Sequence, residues 1–262
     1  MSKPLPKINT SSLDELFSTE DERQEENKER VESIPITKIK DFNNHPYHVR
    51  TDEDMIHLVE SIKENGQLVP VLVRPTTDGF EMISGHRRKY ALELIGQNEV
   101  HAIVRNLTDE QATILMVDSN IQREHILPSE RGFAYKMKLE AMKHQGKRTD
   151  LTCGQLGHKL NGKKSIQILA EDVGDSFKQI QRYIRLTELI EPLRVLVDGL
   201  SEDGKKIALN PAVELSFLNK EQQQDVYKFI QELDATPSYA QTMRMKELAK
   251  SNRLDEHVIY TI

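Results

Sequence analysis

Ser84-Gly85-His86-Arg87-Arg88-Lys89-Tyr90-Ala91 stands where a run of strand-forming residues hands over to a helical pattern. The first N–H groups of a helix are unpaired and its dipole is positive there, so the place already attracts an anion. Two arginines in that first turn oppose the dipole unless something negative is bound, and guanidinium groups grip phosphate oxygens two at a time. The chemistry suggested is phosphate binding; the alternative is an arginine pair salt-bridged to its neighbours. A second polar cluster, Asp118-Ser119-Asn120-Ile121-Gln122-Arg123, falls between two helical patterns. Asn120 and Asp118 carry hard oxygens of the kind Mg²⁺ takes and Arg123 adds a phosphate contact, unless the cluster is simply a capped helix junction.

A third pattern, Ile166 to Leu186, fits a helix-turn-helix. Leu169, Ala170 and Val173 give a first helix one apolar face, Gly174 permits the positive φ of a tight turn, and Ser176 can cap a second helix packed inward through Ile180 and Ile184. Near or on its outer face stand Phe177, Lys178, Gln179, Gln181, Arg182 and Arg185, whose amides and guanidinium groups suit base edges and phosphates, and Ser176 joins the candidate DNA contacts. An ordinary helical hairpin with solvated charges is the bland alternative. Lys163 and Lys164 precede the first helix and read as phosphate contacts. From Lys143 to Arg185 nine bases face four acids.

Other chemistries find no support. No G-x-S-x-G and no G-x-x-x-x-G-K-[ST] occurs, and the nine histidines show no zinc spacing and read mostly as surface residues. The single cysteine, Cys153, excludes an internal disulfide and a cysteine-based zinc site.

The elements that must position these residues follow from periodicity. Thr51 with Asp54 reads as the capped start of a helix carrying Met55, Leu58, Val59 and Ile62, stopped by Asn65-Gly66. Leu68–Val73, the turn Thr77-Asp78-Gly79 and Phe80–Ile83 form a hairpin, Val100–Val104 another strand. After Thr108 the chain reads as helical: Asp109–Ile121, then Pro128 to about His144, a basic break at Gln145–Arg148, and shorter helices beyond. Near the end, Val226, Phe229, Ile230 and Leu233 recur at helical spacing, and Val258-Ile259-Tyr260 reads as a strand; either is a candidate dimer contact. The 262 residues divide into an acidic tail (1–33), an α+β domain (34–107), a helical domain with the helix-turn-helix at 166–187 (108–220) and a short helical end (221–262).

The whole chain carries 36 Lys and Arg against 42 Asp and Glu, a net charge of −6 that argues against a protein merely coating nucleic acid. Much of that acidity lies in the first 33 residues, nine acids against five bases. Within that tail Leu13, Leu16 and Phe17 share one helical face, which could dock in a partner's groove. No signal peptide and no spanning stretch is read, so the cytoplasm is the expected compartment.

The order of these motifs resembles the ParB family of DNA partition proteins over about residues 10 to 220. The likeness rests on Ile34-Pro35-Ile36 with Arg50, Gly66-Gln67-Leu68-Val69-Pro70-Val71, Gly85-His86-Arg87-Arg88-Lys89-Tyr90-Ala91, Ser119-Asn120-Ile121-Gln122-Arg123 with Leu127-Pro128-Ser129-Glu130, and the helix-turn-helix. It implies an α+β fold: a small N-terminal α+β domain of ParB/sulfiredoxin type followed by an all-α helix-turn-helix domain. It implies CTP with Mg²⁺ at Gln67, Gly85, His86, Arg87, Arg88, Ser119, Asn120 and Arg123, with Asn120 beside the metal. Further implications are a homodimer reading a palindromic parS-like site in double-stranded DNA, as a CTP-switched sliding clamp in chromosome, plasmid or mobile-element segregation. A weak CTPase activity and nucleoid or plasmid association go with that reading. Leu13, Leu16 and Phe17 resemble the peptide by which ParB proteins engage a ParA-type ATPase. His86 and Ser119 stand where the family carries Glu, which removes two carboxylates from beside a triphosphate. The alternatives are a ParB-like transcriptional regulator or nucleoid-occlusion factor without nucleotide turnover, and an enzyme of sulfiredoxin type. The latter needs a cysteine in the Gly85–Arg88 loop, and none is there.

Overall fold

The computed structural model describes residues 30–123, 125–148 and 165–262; Leu13, Leu16, Phe17, Cys153, Lys163 and Lys164 lie outside them. Five strands, β1 (Val31–Pro35), β2 (Ile39–Lys40), β3 (Val71–Thr76), β4 (Gly79–Ser84) and β5 (Glu99–Val104), form one sheet in the order β1-β5-β3-β4-β2. The β3–β4 hairpin and the β1–β5 pair are antiparallel, while β3–β5 and β2–β4 are parallel. Period-two alternation decides what covers each face. Val71, Val73, Met82, Val100 and Ala102 point to α1 (Glu53–Asn65) and α2 (His86–Leu94), where Met55, Ile62, Ala91 and Leu92 meet them. Leu72 and Ile83 point to the other face, covered by Ala112, Met116 and Val117 of α3 (Asp109–Ile121) together with Phe42 and Tyr47. The sheet is thus sandwiched by helices, and α3 belongs to it as much as to the helices that follow.

Next come α4 (Pro128–Arg148), α5 (Ser165–Val173), α6 (Phe177–Leu186), α7 (Glu191–Asp198), α8 (Leu209–Leu215), α9 (Lys220–Glu232), α10 (Tyr239–Lys250) and α11 (Glu256–Thr261). Tyr135 and Leu139 of α4 pack on Leu169 of α5 and Ile180 of α6. Gly132 is the closest approach: a Cβ there would stand 2.2 Å from the Tyr183 carbonyl oxygen, so α4 and α6 meet backbone to backbone. The C-terminal half of α6 enters a separate core, where Leu186 and Leu189 meet Leu193, Leu196, Leu215, Val226, Ile230, Met245 and Ile259.

Four expectations need correction. The cap of α1 is Asp52, whose carboxylate accepts from the Met55 N–H at 2.9 Å, rather than Thr51. α4 runs on through Gln145–Arg148, four residues read as a break. Val258-Ile259-Tyr260 is helical, because Asp255 caps α11 and Ile259 fills the C-terminal core. Val226, Phe229 and Ile230 lie in that same core and are used up within the chain, leaving Leu233 exposed; a dimer cannot form on them without unfolding α9.

Candidate anion site and nucleic-acid interface

Gly85 caps α2 with φ 109°, and a Cβ at this position would lie 2.6 Å from Val71 Cγ1, so only glycine lets β4 turn into α2 against the floor of the sheet. The turn delivers Arg87 and Arg88 to one end of the domain. Arg87 Nη2 donates to Asp52 Oδ1 at 2.8 Å, reaching the α1 cap, and Arg88 donates to the carbonyls of Val69 and Pro70. Gln67 holds the preceding loop: its amide donates to the His101 carbonyl at 2.8 Å and accepts from the His101 N–H at 2.8 Å, imitating a strand partner for β5. That engagement makes Gln67 a strut of the loop in this conformation.

Arg123 comes to the same place from the end of α3. Burial first, and then the charge of Arg123, lower the Arg88 pKa; burial and then Arg87 do the same to Arg123, although its side chain is still open to solvent. Three guanidinium groups therefore gather at this end, with Asp52 paired to Arg87 and Glu130 acting on Arg123. Such a concentration of like charge at a helix N-terminus fits a polyphosphate, which would offset the mutual repulsion.

Mg²⁺ fits less well. Asn120 is 2% exposed and its Nδ2 donates to the Met116 carbonyl at 2.7 Å and to Ser119 Oγ at 3.2 Å, so the side chain is turned into α3. Asp118, the nearest carboxylate in sequence, is paired to Lys138 at 2.7 Å. Among the described residues no group of three His, Cys, Asp or Glu side chains could hold a metal ion.

His86 departs most from expectation. Far from lying at the surface it is 8% exposed, with its ring 3.9 Å from the His45 ring, centroid to centroid. Burial foremost, then His45, pushes its pKa down to about 3, with Lys89 and Arg123 adding to the drop and Asp41 opposing it. The unfolded chain, with an ordinary imidazole, takes up this proton near pH 6.5 while the folded chain does not. The stabilisation is present above pH 6.5 and is lost as pH falls from there towards 3, by up to about 1.4 kcal/mol per unit. His86→Gln is expected to flatten that slope, as read by urea denaturation of both chains at pH 7, 6 and 5.

Around the site, Glu130 at the start of α4 accepts from the His48 N–H at 3.0 Å and meets Arg50 at 3.7 Å, tying the 45–50 loop to the helical region. Lys138 of α4 is 2% exposed and bridges Asp118 of α3, at 2.7 Å, to Asp172 of α5, at 3.2 Å. Neither Lys138 nor the His45–His86 contact carries a local sequence signal: each joins residues distant along the chain.

The second face is built by α5 and α6. Gly174 makes the turn with φ 73°, Ser176 Oγ accepts from the Gln179 N–H at 3.2 Å, and Ile180 is fully buried. Lys178, Gln181 and Arg182 are exposed; Gln179 is half-buried and lies beside Arg182. Arg185 is held differently, donating to the Ser216 hydroxyl at 3.1 Å and stacking 4.1 Å over the Phe217 ring. It braces α6 against α8. No described helix is long and apolar enough to cross a membrane.

An α+β domain, its sheet covered by helices on both faces, leading into a helix-turn-helix and further helices is the class this fold defines. The chain matches the family model of the ParB N-terminal domain over residues 20–121. It is 38% identical over 110 residues to the chromosome-partitioning protein Spo0J of Thermus thermophilus, covering 42% of this chain and 41% of the relative. It is 32% identical over 169 residues to stage 0 sporulation protein J of Bacillus subtilis, covering 63% of this chain and 53% of the relative. The chain therefore spans about half the length of these curated relatives. A crystal structure of C-terminally truncated ParB from Caulobacter crescentus complexed to the centromeric parS site is 21% identical, with a TM-score of 0.43, covering 84% of this chain and 99% of that one.

Proposed function

We propose that this is a ParB-type partition protein in which α6 reads a palindromic, parS-like DNA site and the α2 end of the N-terminal domain holds CTP. The observation that carries the DNA reading is the division of α6: Ile180 and Leu186 are fully buried while Lys178, Gln181 and Arg182 stand clear on the opposite side. Gln and Arg on such a helix can pair with base edges in the major groove, and Lys contributes phosphate contacts. A palindromic site requires two copies, so the protein acts as a homodimer. The nucleotide reading rests on Gly85, Arg87, Arg88 and Arg123, whose guanidinium groups and α2 N–H groups would hold the phosphates. Sliding-clamp behaviour, a ParA-type partner at Leu13, Leu16 and Phe17, and placement on a nucleoid or plasmid belong to the same proposal.

Arg182→Ala and Gln179→Ala are each expected to weaken binding to the cognate site by about 1–3 kcal/mol and to leave random DNA nearly unchanged. Lys178→Ala should weaken both alike and lower the salt dependence by about one counterion. Fluorescence anisotropy against the cognate and a scrambled duplex at several salt concentrations reads both. Equal losses on the two duplexes for Arg182→Ala would make it a phosphate contact and remove α6 as the reader. For the nucleotide, calorimetric titration with CTP, Mg²⁺ and cognate DNA that shows no binding would dispose of the second half.

A further inference from the structure

Three buried polar atoms among the described residues have no hydrogen-bond partner, His45 Nε2, Tyr47 Oη and His86 Nε2, and the His45 ring adjoins both of the others. Leaving such atoms unpaired is costly, and their gathering at one place calls for an explanation. The His45 and His86 rings lie 3.9 Å apart and the His45 and Tyr47 rings 5.6 Å apart. The tautomer of His45 follows from geometry: Nδ1 lies 2.7 Å from the Tyr47 carbonyl oxygen, which can only accept, so Nδ1 carries the hydrogen and Nε2 carries the lone pair. A buried basic nitrogen without a proton or a partner therefore sits against His86, the first residue of α2, next to Arg87.

Two cations and two carboxylates act on the pair. Arg123 acts on both rings and Lys89 on His86; Asp41 acts on both with opposite sign, and Glu130 on His45. Asp41 and Lys89 are themselves paired at 2.7 Å, which mutes both. Burial is the foremost influence that keeps both rings neutral, and Arg123 adds to it on each.

We propose that the His45–His86 pair is the proton-accepting pole of the anion site, so that a polyphosphate binds together with one proton taken from solvent onto this pair. This rests on the reading of the α2 end as a nucleotide site. Bound phosphates reverse the local field, the lone pair at His45 Nε2 or its counterpart at His86 becomes worth protonating, and the resulting N–H gains an oxygen acceptor. Only one proton is taken, because two imidazolium rings at this separation repel each other. Where the family carries a glutamate, a fixed negative charge, this chain has a neutral group that turns positive on binding, making retention of the nucleotide sensitive to pH.

The test is calorimetric titration of the full chain with CTP and Mg²⁺, from pH 8 to pH 6, in two buffers of different ionisation enthalpy. CTP brings its own titrating phosphate, so His86→Gln and His45→Gln serve as references. The wild-type chain should take up a larger fraction of a proton than either variant, with affinity rising more steeply as pH falls, by up to about tenfold per unit. Equal proton uptake and equal slopes in all three, with CTP still bound, overturn the proposal and leave the nucleotide site standing. Absence of CTP binding at every pH overturns the nucleotide reading and this proposal with it. Should one variant fail to fold, the other and the buffer dependence of the wild type still decide.

Discussion

Replacing Asp118 and Asp172 together by Asn is expected to destabilise the folded chain by about 3–5 kcal/mol, read as a shift of the urea denaturation midpoint. The size follows from asymmetry of burial. The Lys138 side chain is 3% exposed whereas its partners are 44% and 37% exposed, so it is the ammonium that cannot be rehydrated once the carboxylates are gone. Removing the lysine instead leaves two carboxylates that water can reach, and Lys138→Met should be close to neutral. If both changes cost the same, the bridge acts through packing rather than charge. Lys138→Met has a further use. It leaves the fold in place but cuts the ionic tie between α3, which ends two residues before Arg123 of the anion site, and α5 of the helix-turn-helix, so coupling between nucleotide and DNA should weaken in it.

Gly85→Ala is expected to cost roughly 2–5 kcal/mol, combining about 1–2 kcal/mol for an L-residue at positive φ with about 1–3 kcal/mol for forcing a methyl into a filled space. The obstacle is Val71 Cγ1 at 2.6 Å, on a residue that is itself fully buried. Adding Val71→Ala should restore none of the backbone cost and relieve the clash only in part, since the Cβ at position 71 would still stand 2.9 Å away. CTP binding should fall in the single variant beyond what unfolding explains, since the first turn of α2, which carries Arg87 and Arg88, has to shift away from Val71. A variant that unfolds earlier yet binds CTP as well as the parent per folded molecule would separate this glycine from the site.

Features set by a few adjacent residues are legible along the chain. Gly174 and Ser176 announce the turn and the cap of α6, and Gly66 the end of α1. Features made by partners far apart are not. Val31-Glu32-Ser33 reads as tail but becomes strand because β5 offers it an open edge. Val258-Ile259-Tyr260 has strand-forming residues and becomes helix, tertiary packing of Ile259 overruling propensity. At the candidate site, Gly85, Arg87 and Arg88 are legible from their position at a helix start. The burial of His86 depends on His45, forty-one residues earlier, and that of Lys138 on two carboxylates from different helices. Arg185 reads as an outward guanidinium like Arg182, yet Ser216 and Phe217, brought alongside by α8, capture it.

The helix that faces outward at Lys178, Gln181 and Arg182 is shared between two cores: Ile180 locks its first half to α4 and α5, and Leu186 locks its last residue among α7 to α11. A rod gripped at both ends has little freedom left to lose. The ordering of this surface is completed when the chain folds, and a duplex that meets it encounters a finished shape.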